Sequence, residues 1–329
     1  MNNVLVTGAT SFLGYHVVKK LNERGMQPRA LGPKDQGSAG VLGKLNVDMI
    51  EGDVDDVSSL TAAFDGVDTV LHLAFLVTLG GGMQERMHQT NVVGTRHVLQ
   101  AAADAKVARV VVTSSALAVG VNREPKALDE SADWNIHRVN LPYAETRRQA
   151  EQEALATTSP GLSVVVVSPS LTMGPEDFVG APANKLLKAI SAGRLPISAH
   201  GGLGCLDVRD FADGMLRAAD HGRPGQRYLL SAHNVTIDDF LAEAARISGT
   251  KPPRWRLPRW AAYALVAAVE GWCALRRKPP PITRSVLQLM GRYAWYDSQR
   301  ARTELGWEPR PLADTLTDTI AWLRQSSSA

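Results

Sequence analysis

The chain has 329 residues, enough for one large α/β domain or two smaller units, and its 44% hydrophobic and 21% charged residues are ordinary for a globular protein. A net charge of +3 without a run of Lys or Arg argues against nucleic acid as a partner. Cys205 and Cys273 lie far apart and the eight histidines are scattered, so we expect no metal site. No signal peptide pattern is visible at the N-terminus, and we expect a reducing, cytoplasmic location.

Short apolar runs alternate with helical patterns through the first half of the chain. The predicted strands cover residues 3–7, 28–32, 47–53, 69–74, 109–115 and 162–169. Continuous apolar runs are typical of a parallel sheet that helices cover on both faces. The alternation therefore predicts an α/β fold with a doubly wound parallel sheet over residues 1–170.

The pattern changes after residue 170, where Pro and Gly become frequent and aromatic residues cluster between 255 and 307. We expect residues 171–329 to form mainly a smaller, discontinuous region that binds substrate at the carboxyl edge of the sheet. Residues from about 205 to 232 are expected to add one further strand and helix to the sheet. Thr236, followed three residues later by Asp239, predicts the start of a helix.

The stretch "LPRWAAYALVAAVEGWCALRRK", residues 257–278, is the most membrane-like part of the chain. Its apolar run is shorter than about 20 residues and contains Glu270, so we expect no transmembrane span. Three alternatives stay open. The stretch is a core helix of the substrate region or, given its flanking Arg and Trp residues, a helix that lies at a membrane surface or against a hydrophobic substrate.

Gly8 and Gly14 lie between the first strand and the first helix, in "VLVTGATSFLGYHVV". Glycine is needed there because the backbone turns sharply and approaches a pyrophosphate at the helix N-terminus. This turn resembles the T-G-x-x-G-x-x-G motif of the extended short-chain dehydrogenase/reductases, in the NAD-dependent epimerase/dehydratase family, which implies a Rossmann fold. Ser11 stands where the family has its middle glycine, and a Cβ there would crowd the phosphates if a glycine-only backbone were essential.

The second strand bears on the choice of cofactor. An acidic residue at its end would hold the ribose of NAD, but this strand ends at Gly32 with Lys34 two residues later. An uncharged end followed by a cation favours NADP(H) over NAD(H), although Asp35 weakens the argument. The family resemblance completes the predicted cofactor-binding set, which is Thr7, Gly8, Thr10, Ser11, Phe12, Leu13, Gly14, Lys34, Asp53, Val54, Leu73, Ala74, Thr113, Tyr143, Arg147 and Pro169.

The stretch "LPYAETRRQAE" places Tyr143 and Arg147 four residues apart, on one face of a helix. It resembles the Y-x-x-S-K-x-x-A-E helix of the family, with arginine in place of the catalytic lysine. Ser115, in "VVTSSALAVG", matches the catalytic serine, and Asn91 matches a helix asparagine of the family that we include among the catalytic residues.

These residue types suit hydride transfer. A ketone that accepts hydride develops negative charge on its oxygen, so a donor must supply a proton. A tyrosine titrates near 10, roughly three units above neutral pH, and a fixed cation lowers its pKa by favouring phenolate. Ser115 would hold the carbonyl oxygen, Tyr143 would transfer the proton, and Arg147 would supply the cation and hold the nicotinamide ribose.

Two further features bear on the substrate. Ser168 and Leu171 replace an arginine and an asparagine of the nucleotide-sugar epimerases, and the 257–278 region resembles the dihydroflavonol-reductase-like and hydroxysteroid-dehydrogenase-like branches. We therefore predict an NADP(H)-dependent oxidoreductase for a bulky hydrophobic ketone or alcohol. The alternatives are a sugar or nucleotide-sugar epimerase/dehydratase and an NAD(P)-binding protein with weakened or lost catalysis. The resemblance also implies a homodimer built from the helices that carry Asn91 and Tyr143.

Overall fold

The computed structural model describes residues 1–32, 40–78, 82–136, 139, 141–195, 197–253, 255–256, 258–276, 280, 284–289 and 291–328. Its central sheet contains the strands β1 (Val4–Thr7), β2 (Arg29–Gly32), β3 (Asp48–Glu51), β4 (Thr69–His72), β5 (Arg109–Thr113), β6 (Ser163–Pro169) and β10 (Arg227–Leu230). The strand order is β10-β6-β5-β4-β1-β2-β3, and every neighbouring pair is parallel. The predicted doubly wound sheet is confirmed.

Helices cover both faces of this sheet. The described helices are α1 (Phe12–Glu23), α2 (Val57–Phe64), α3 (Gln84–His88), α4 (Gly94–Asp104), α5 (Pro142–Ala156), α6 (Pro182–Ser191), α7 (Val208–His221), α8 (Ile237–Ser248), α9 (Arg259–Leu275), α10 (Arg284–Leu289), α11 (Gln299–Leu305) and α12 (Leu312–Ser328). Apolar residues of α1 and α7 pack on one face of the sheet, and those of α2, α4 and α5 pack on the other. These two layers explain why the strands are apolar on both sides.

A second, smaller sheet lies in the C-terminal half. It is built around β9 (Gly202–Asp207), which pairs with β7 (Leu171–Met173), β11 (His233–Thr236) and β13 (Tyr293–Ala294). The short strands β8 (Ile197–Ser198) and β12 (Trp255–Arg256) pair separately. Apolar residues of α6, α8 and α12 form one cluster beside the second sheet.

The sequence did not predict most of this second sheet, because its central strand is poor in β-forming residues. Gly202 and Gly204 occupy two of the six positions of β9. A Cβ on Gly202 would come within 2.4 Å of the indole nitrogen of Trp295, so close packing explains the glycine. By contrast, the predicted helix start at Thr236 is confirmed, since its hydroxyl accepts a hydrogen bond from the amide of Asp239.

The strand order reverses beside β1, which lies between β2 and β4. In open α/β sheets, ligands bind in the crevice at such a reversal, outside the carboxyl ends of the strands. The segment that follows β1 leads directly into α1, and the segments that follow β4 and β5 lie at the same edge. The fold therefore brings the Gly8–Gly14 turn, the segment after β4 and the Ser115 segment after β5 to one edge of the sheet.

Candidate active site

The turn between β1 and α1 contacts the backbone that follows β4. Gly8 has a φ of +70°, and a Cβ on it would lie 2.6 Å from backbone atoms of Leu73 and Ala74. A Cβ on Gly14 would lie 2.1 Å from the carbonyl oxygen of Gly8. Both glycines are therefore required by close backbone approach, and at Gly8 also by the left-handed conformation.

Ser11 begins helix α1 as its N-cap. Its backbone has φ −72° and ψ 165°, an extended conformation that any residue adopts, and its Oγ accepts a hydrogen bond of 3.0 Å from the amide of Gly14. The backbone here therefore does not depend on glycine. The cap occupies the backbone amide of Gly14. The amides of Phe12 and Leu13 can then donate to an anion at the positive end of the helix.

The other predicted cofactor residues lie along the carboxyl edge of the sheet. Asp53 is exposed just after β3, where its carboxylate accepts a hydrogen bond of 3.0 Å from the amide of Asp55, while Val54 beside it is buried. Thr113 and Pro169 end β5 and β6 and are buried. Thr10 lies in the turn before α1. Lys34 lies outside the described residues.

His72 occupies the end of β4 and is hydrogen-bonded through both ring nitrogens. Its Nδ1 lies 2.7 Å from Thr7 Oγ1, and its Nε2 lies 3.0 Å from Thr95 Oγ1. The Thr95 hydroxyl donates to the carbonyl of Asn91, and the Thr7 hydroxyl accepts from the amide of Ala74. Each hydroxyl has one proton, so the ring carries its proton on Nε2 and accepts at Nδ1. Burial, with a further contribution from the Arg147 cation, lowers the pKa of His72 to about 3.

Asn91 lies in a π-helical turn, Gln89–Val93, between α3 and α4. Its amide side chain accepts from the backbone amide of Leu76 at 2.7 Å and donates to the carbonyl of the same residue at 3.0 Å. It also donates to the hydroxyl of Thr146, which in turn donates to the carbonyl of Tyr143. Asn91 thus connects the loop after β4 with the first turns of α5.

Ser115 and Tyr143 meet at the carboxyl end of β5. Ser115 begins a short 3-10 turn, where its Oγ accepts from the amide of Leu117 at 3.3 Å. Tyr143 lies in the first turn of α5, and both side chains are buried. Their hydroxyls are close enough for the Ser115 hydrogen bond to lower the pKa of Tyr143.

Burial nevertheless dominates the titration of Tyr143. It raises the pKa of the phenol above its ordinary value of 10.0, and the Arg147 cation and Ser115 only partly oppose that effect. The sequence-based expectation of a lowered pKa is therefore wrong for the net shift. The reason is that the free-energy cost of removing the phenolate from water exceeds the stabilisation of the phenolate by the nearby cation. Tyr143 stays protonated at neutral pH.

Arg147 follows Tyr143 by one helical turn and is 1% exposed. Its guanidinium carbon lies 4.6 Å from the centroid of the Phe75 ring, and burial lowers the pKa of the side chain. Its Nε and Nη1 have no hydrogen-bond partner among the described residues. Unpaired guanidinium donors in a buried site are costly, so this arrangement is suited to a ligand that accepts hydrogen bonds there.

Glu151 is the third buried polar residue on this face of α5, four positions after Arg147. Its carboxylate lies 3.0 Å from Arg227 Nη1 on β10 and accepts from the hydroxyl of Ser168 at 3.3 Å. Its negative charge also favours the charged form of Arg147. The spacing of Tyr143, Arg147 and Glu151 could have revealed this stripe from the sequence, whereas the roles of Phe75 and His72 depend on tertiary contacts.

Comparison with known proteins fits this geometry. The sequence pattern of the NAD-dependent epimerase/dehydratase family matches residues 4–231. The chain belongs to this family. It is 30% identical over 323 residues to the putative dihydroflavonol 4-reductase of Synechocystis sp., a match that covers 97% of this chain and 94% of that protein.

Two further similarities extend over nearly the whole chain. The 4-hydroxy-2-methyl-3-oxo-4-farnesyl-3,4-dihydroquinoline-1-oxide ketoreductase of Stigmatella aurantiaca is 30% identical over 315 residues, which cover 93% of this chain and 91% of that protein. The crystal structure of gox2253 superposes with a TM-score of 0.86 at 31% identity and covers 99% of both chains. This member of the epimerase/dehydratase family is thus an enzyme, an NAD(P)-dependent oxidoreductase acting on CH–OH groups.

Proposed function

We propose that the protein is an NADP(H)-dependent oxidoreductase that interconverts a ketone and a secondary alcohol on a bulky hydrophobic substrate. The observation that carries the proposal is the buried group of Ser115, Tyr143 and Arg147 at the carboxyl edge of the sheet. A protonated phenol beside a second hydroxyl and a fixed cation supplies what a developing alkoxide needs.

The residues present fit a nicotinamide dinucleotide. The Gly8–Gly14 turn and the N-terminus of α1 suit a pyrophosphate, and the unpaired donors of Arg147 suit the hydroxyls of the nicotinamide ribose. When bound, the cofactor supplies or accepts the hydride. At the other end, Gly32 closes β2 without a charge, which favours a 2′-phosphate over a bare ribose.

In this proposal the protein's own groups handle the proton. Ser115 donates to the substrate oxygen and orients it, and Tyr143 donates its proton to that oxygen as negative charge develops. Because burial keeps the pKa of Tyr143 high, the phenol is protonated at neutral pH and can act as the proton donor. Asn91 holds the loop after β4 against α5 and acts as a positioning residue.

The substrate class rests on three observations. Ser168 stands where nucleotide-sugar enzymes carry arginine, and its buried hydroxyl bonds to Glu151. Leu171 offers no polar contact to a sugar. The names of two relatives describe reduction of a dihydroflavonol and of a farnesylated dihydroquinoline ketone, both bulky ring systems. An apolar pocket with few polar anchors suits such compounds.

The test is turnover of a panel of hydrophobic aryl ketones and cyclic ketones with NADPH and with NADH, alongside fluorescence titration of each cofactor. Tyr143→Phe should lower kcat by about 10²–10⁴-fold, because the variant lacks the phenolic hydroxyl that donates the proton. Full activity in Tyr143→Phe would exclude the assigned acid. Tighter binding of NADH than of NADPH would exclude the cofactor preference.

Two variants of Arg147 distinguish the effect of its positive charge from the effect of its guanidinium shape. Arg147→Lys should keep activity, and Arg147→Ala should lower kcat and weaken NADPH binding. Loss of the cation should raise the pKa of Tyr143 further, since the cation lowers it, and should move the pH dependence of alcohol oxidation to higher pH. Unchanged pH profiles in both variants would show that Arg147 does not act on Tyr143.

A further inference from the structure

Helix α9 exposes large apolar side chains to solvent. Trp260 is 76% exposed, Leu265 55%, Trp272 57% and Leu275 79%, and Trp255 of the adjoining strand β12 is 73% exposed. Single exposed apolar residues are common on proteins, but a cluster of this size on one element indicates an interaction surface. We call the exposed apolar side of α9 the α9 face.

The exposed residues of α9 share one side of the helix. At 100° per residue, Trp260, Leu275, Trp272 and Leu265 fall within an arc of about 140°. Val266, the one buried residue among the α9 side chains that the structure describes, lies on the opposite side. The alternative that residues 257–278 form a core helix is therefore wrong.

The charge around the α9 face differs from the rest of the chain. Residues 251–284 contain eight Lys and Arg residues and one acidic residue, Glu270, a net charge of +7. The whole chain carries +3, so the remaining residues together carry −4. The cations lie on both sides of the apolar stretch, at 251–259 and 276–284. An apolar helix between two basic segments suits a lipid bilayer, because the apolar side chains can contact its interior and the cations its anionic surface.

The contacts of Arg276 and Glu270 fit the same surface. The guanidinium of Arg276 lies 4.3 Å from the ring centroid of Trp272, so a cation accompanies an exposed aromatic ring. Glu270, the one acid of the segment, lies on the Val266 side of the helix, away from the α9 face. It pairs with Arg284 at 2.7 Å and also accepts from its backbone amide.

We propose that the α9 face docks the protein on the surface of a bilayer that contains anionic lipid. Within the described part of the chain no helix is long and apolar enough to cross a membrane, so α9 would lie in the plane of the interface. A second copy of the chain is a poorer occupant, because two segments of +7 would be brought together. The proposal goes beyond the reaction proposed above and does not depend on it.

Co-sedimentation of the purified full chain with lipid vesicles tests the proposal. Vesicles of phosphatidylcholine mixed with phosphatidylglycerol should bind the protein, vesicles of phosphatidylcholine alone should bind it far less, and high salt should reduce binding. The triple variant Trp260→Ser, Trp272→Ser, Leu275→Ser should bind at least about 100-fold more weakly, because three large apolar side chains are removed. Arg276→Gln should bind about fivefold more weakly, and Arg276→Lys should bind like the wild type.

Val57→Ser is the matched control, because Val57 is a 53% exposed apolar residue on α2, outside the α9 face. It should bind vesicles like the wild type. Far-ultraviolet circular dichroism of the triple variant checks that it is folded, and vesicle binding needs neither cofactor nor turnover, so failure of the proposed reaction leaves this test unaffected. No binding to anionic vesicles, or equal binding by the triple variant, would overturn the proposal. So would a wild-type dimer that the triple variant converts to monomer without any vesicle binding, since the face would then join two copies.

Discussion

Helices α5 and α9 reverse the usual relation between composition and burial. Helix α5, "PYAETRRQAEQEALA", is polar, yet it buries a tyrosine, an arginine and a glutamate on one face. Helix α9, "RWAAYALVAAVEGWCAL", is mostly apolar, yet both of its tryptophans and both of its leucines are exposed. The difference shows that burial depends on the elements that pack around a helix. Helix α5 packs on the sheet, where Glu151 gains a counter-charge from Arg227 and a hydrogen bond from Ser168, whereas the described residues around α9 leave most of its surface uncovered.

One glutamate from each helix, Glu151 of α5 and Glu270 of α9, tests the comparison most sharply. Glu151→Gln removes the counter-charge of Arg227 in a buried setting, so we expect the free energy of unfolding to fall by about 3 kcal/mol. Glu270→Gln breaks a pair whose Arg284 is 59% exposed and should cost less than about 1 kcal/mol. Urea denaturation of both variants gives the two values, and equal losses would contradict the comparison.

His72, a buried residue of β4 that is affected by the charge of Arg147 on α5, also predicts a pH dependence. His72 has a pKa near 6.5 in the unfolded chain but of about 3 in the folded one. The unfolded chain therefore binds the proton first, and the free energy of unfolding falls as pH falls through that interval. Between about pH 7 and about pH 4.5 this loss amounts to about 2 kcal/mol. His72→Gln should therefore lose less stability in acid than the wild type, and His221→Gln, at the exposed end of α7, should behave like the wild type. Identical acid profiles for His72→Gln and the wild type would exclude the buried neutral ring.

Two adjacent residues of α9 separate its buried side from its exposed side. Val266→Ala should lower the free energy of unfolding by about 1 kcal/mol, because its side chain packs inward. Leu265→Ala, a larger truncation, should change it by less than about 0.5 kcal/mol, because the leucine is exposed. Thermal unfolding in the absence of lipid measures both. A greater loss for Leu265→Ala would mean that the α9 face is covered within the protein.

Much of the fold followed from local pattern. The six predicted strands of the first half each contain the observed strand, because continuous apolar runs between helical patterns are a strong signal for a parallel sheet. The smaller sheet escaped prediction because its central strand carries two glycines, and at one of them, Gly202, close packing by Trp295 excludes a side chain. Local pattern cannot reveal a requirement that comes from a residue some 90 positions away in the chain.

The sequence by itself determined the doubly wound sheet, the Gly8–Gly14 turn and the shared face of Tyr143 and Arg147, since each depends on residues close together in the chain. Only the tertiary structure decided the environment of two side chains. Arg147 is buried against Phe75 with donors that no described residue pairs, and burial raises the pKa of Tyr143. The tertiary structure also leaves the apolar side of α9 exposed. Burial depends on which elements pack against each other, and the spacing of residues along one helix does not show which elements those are.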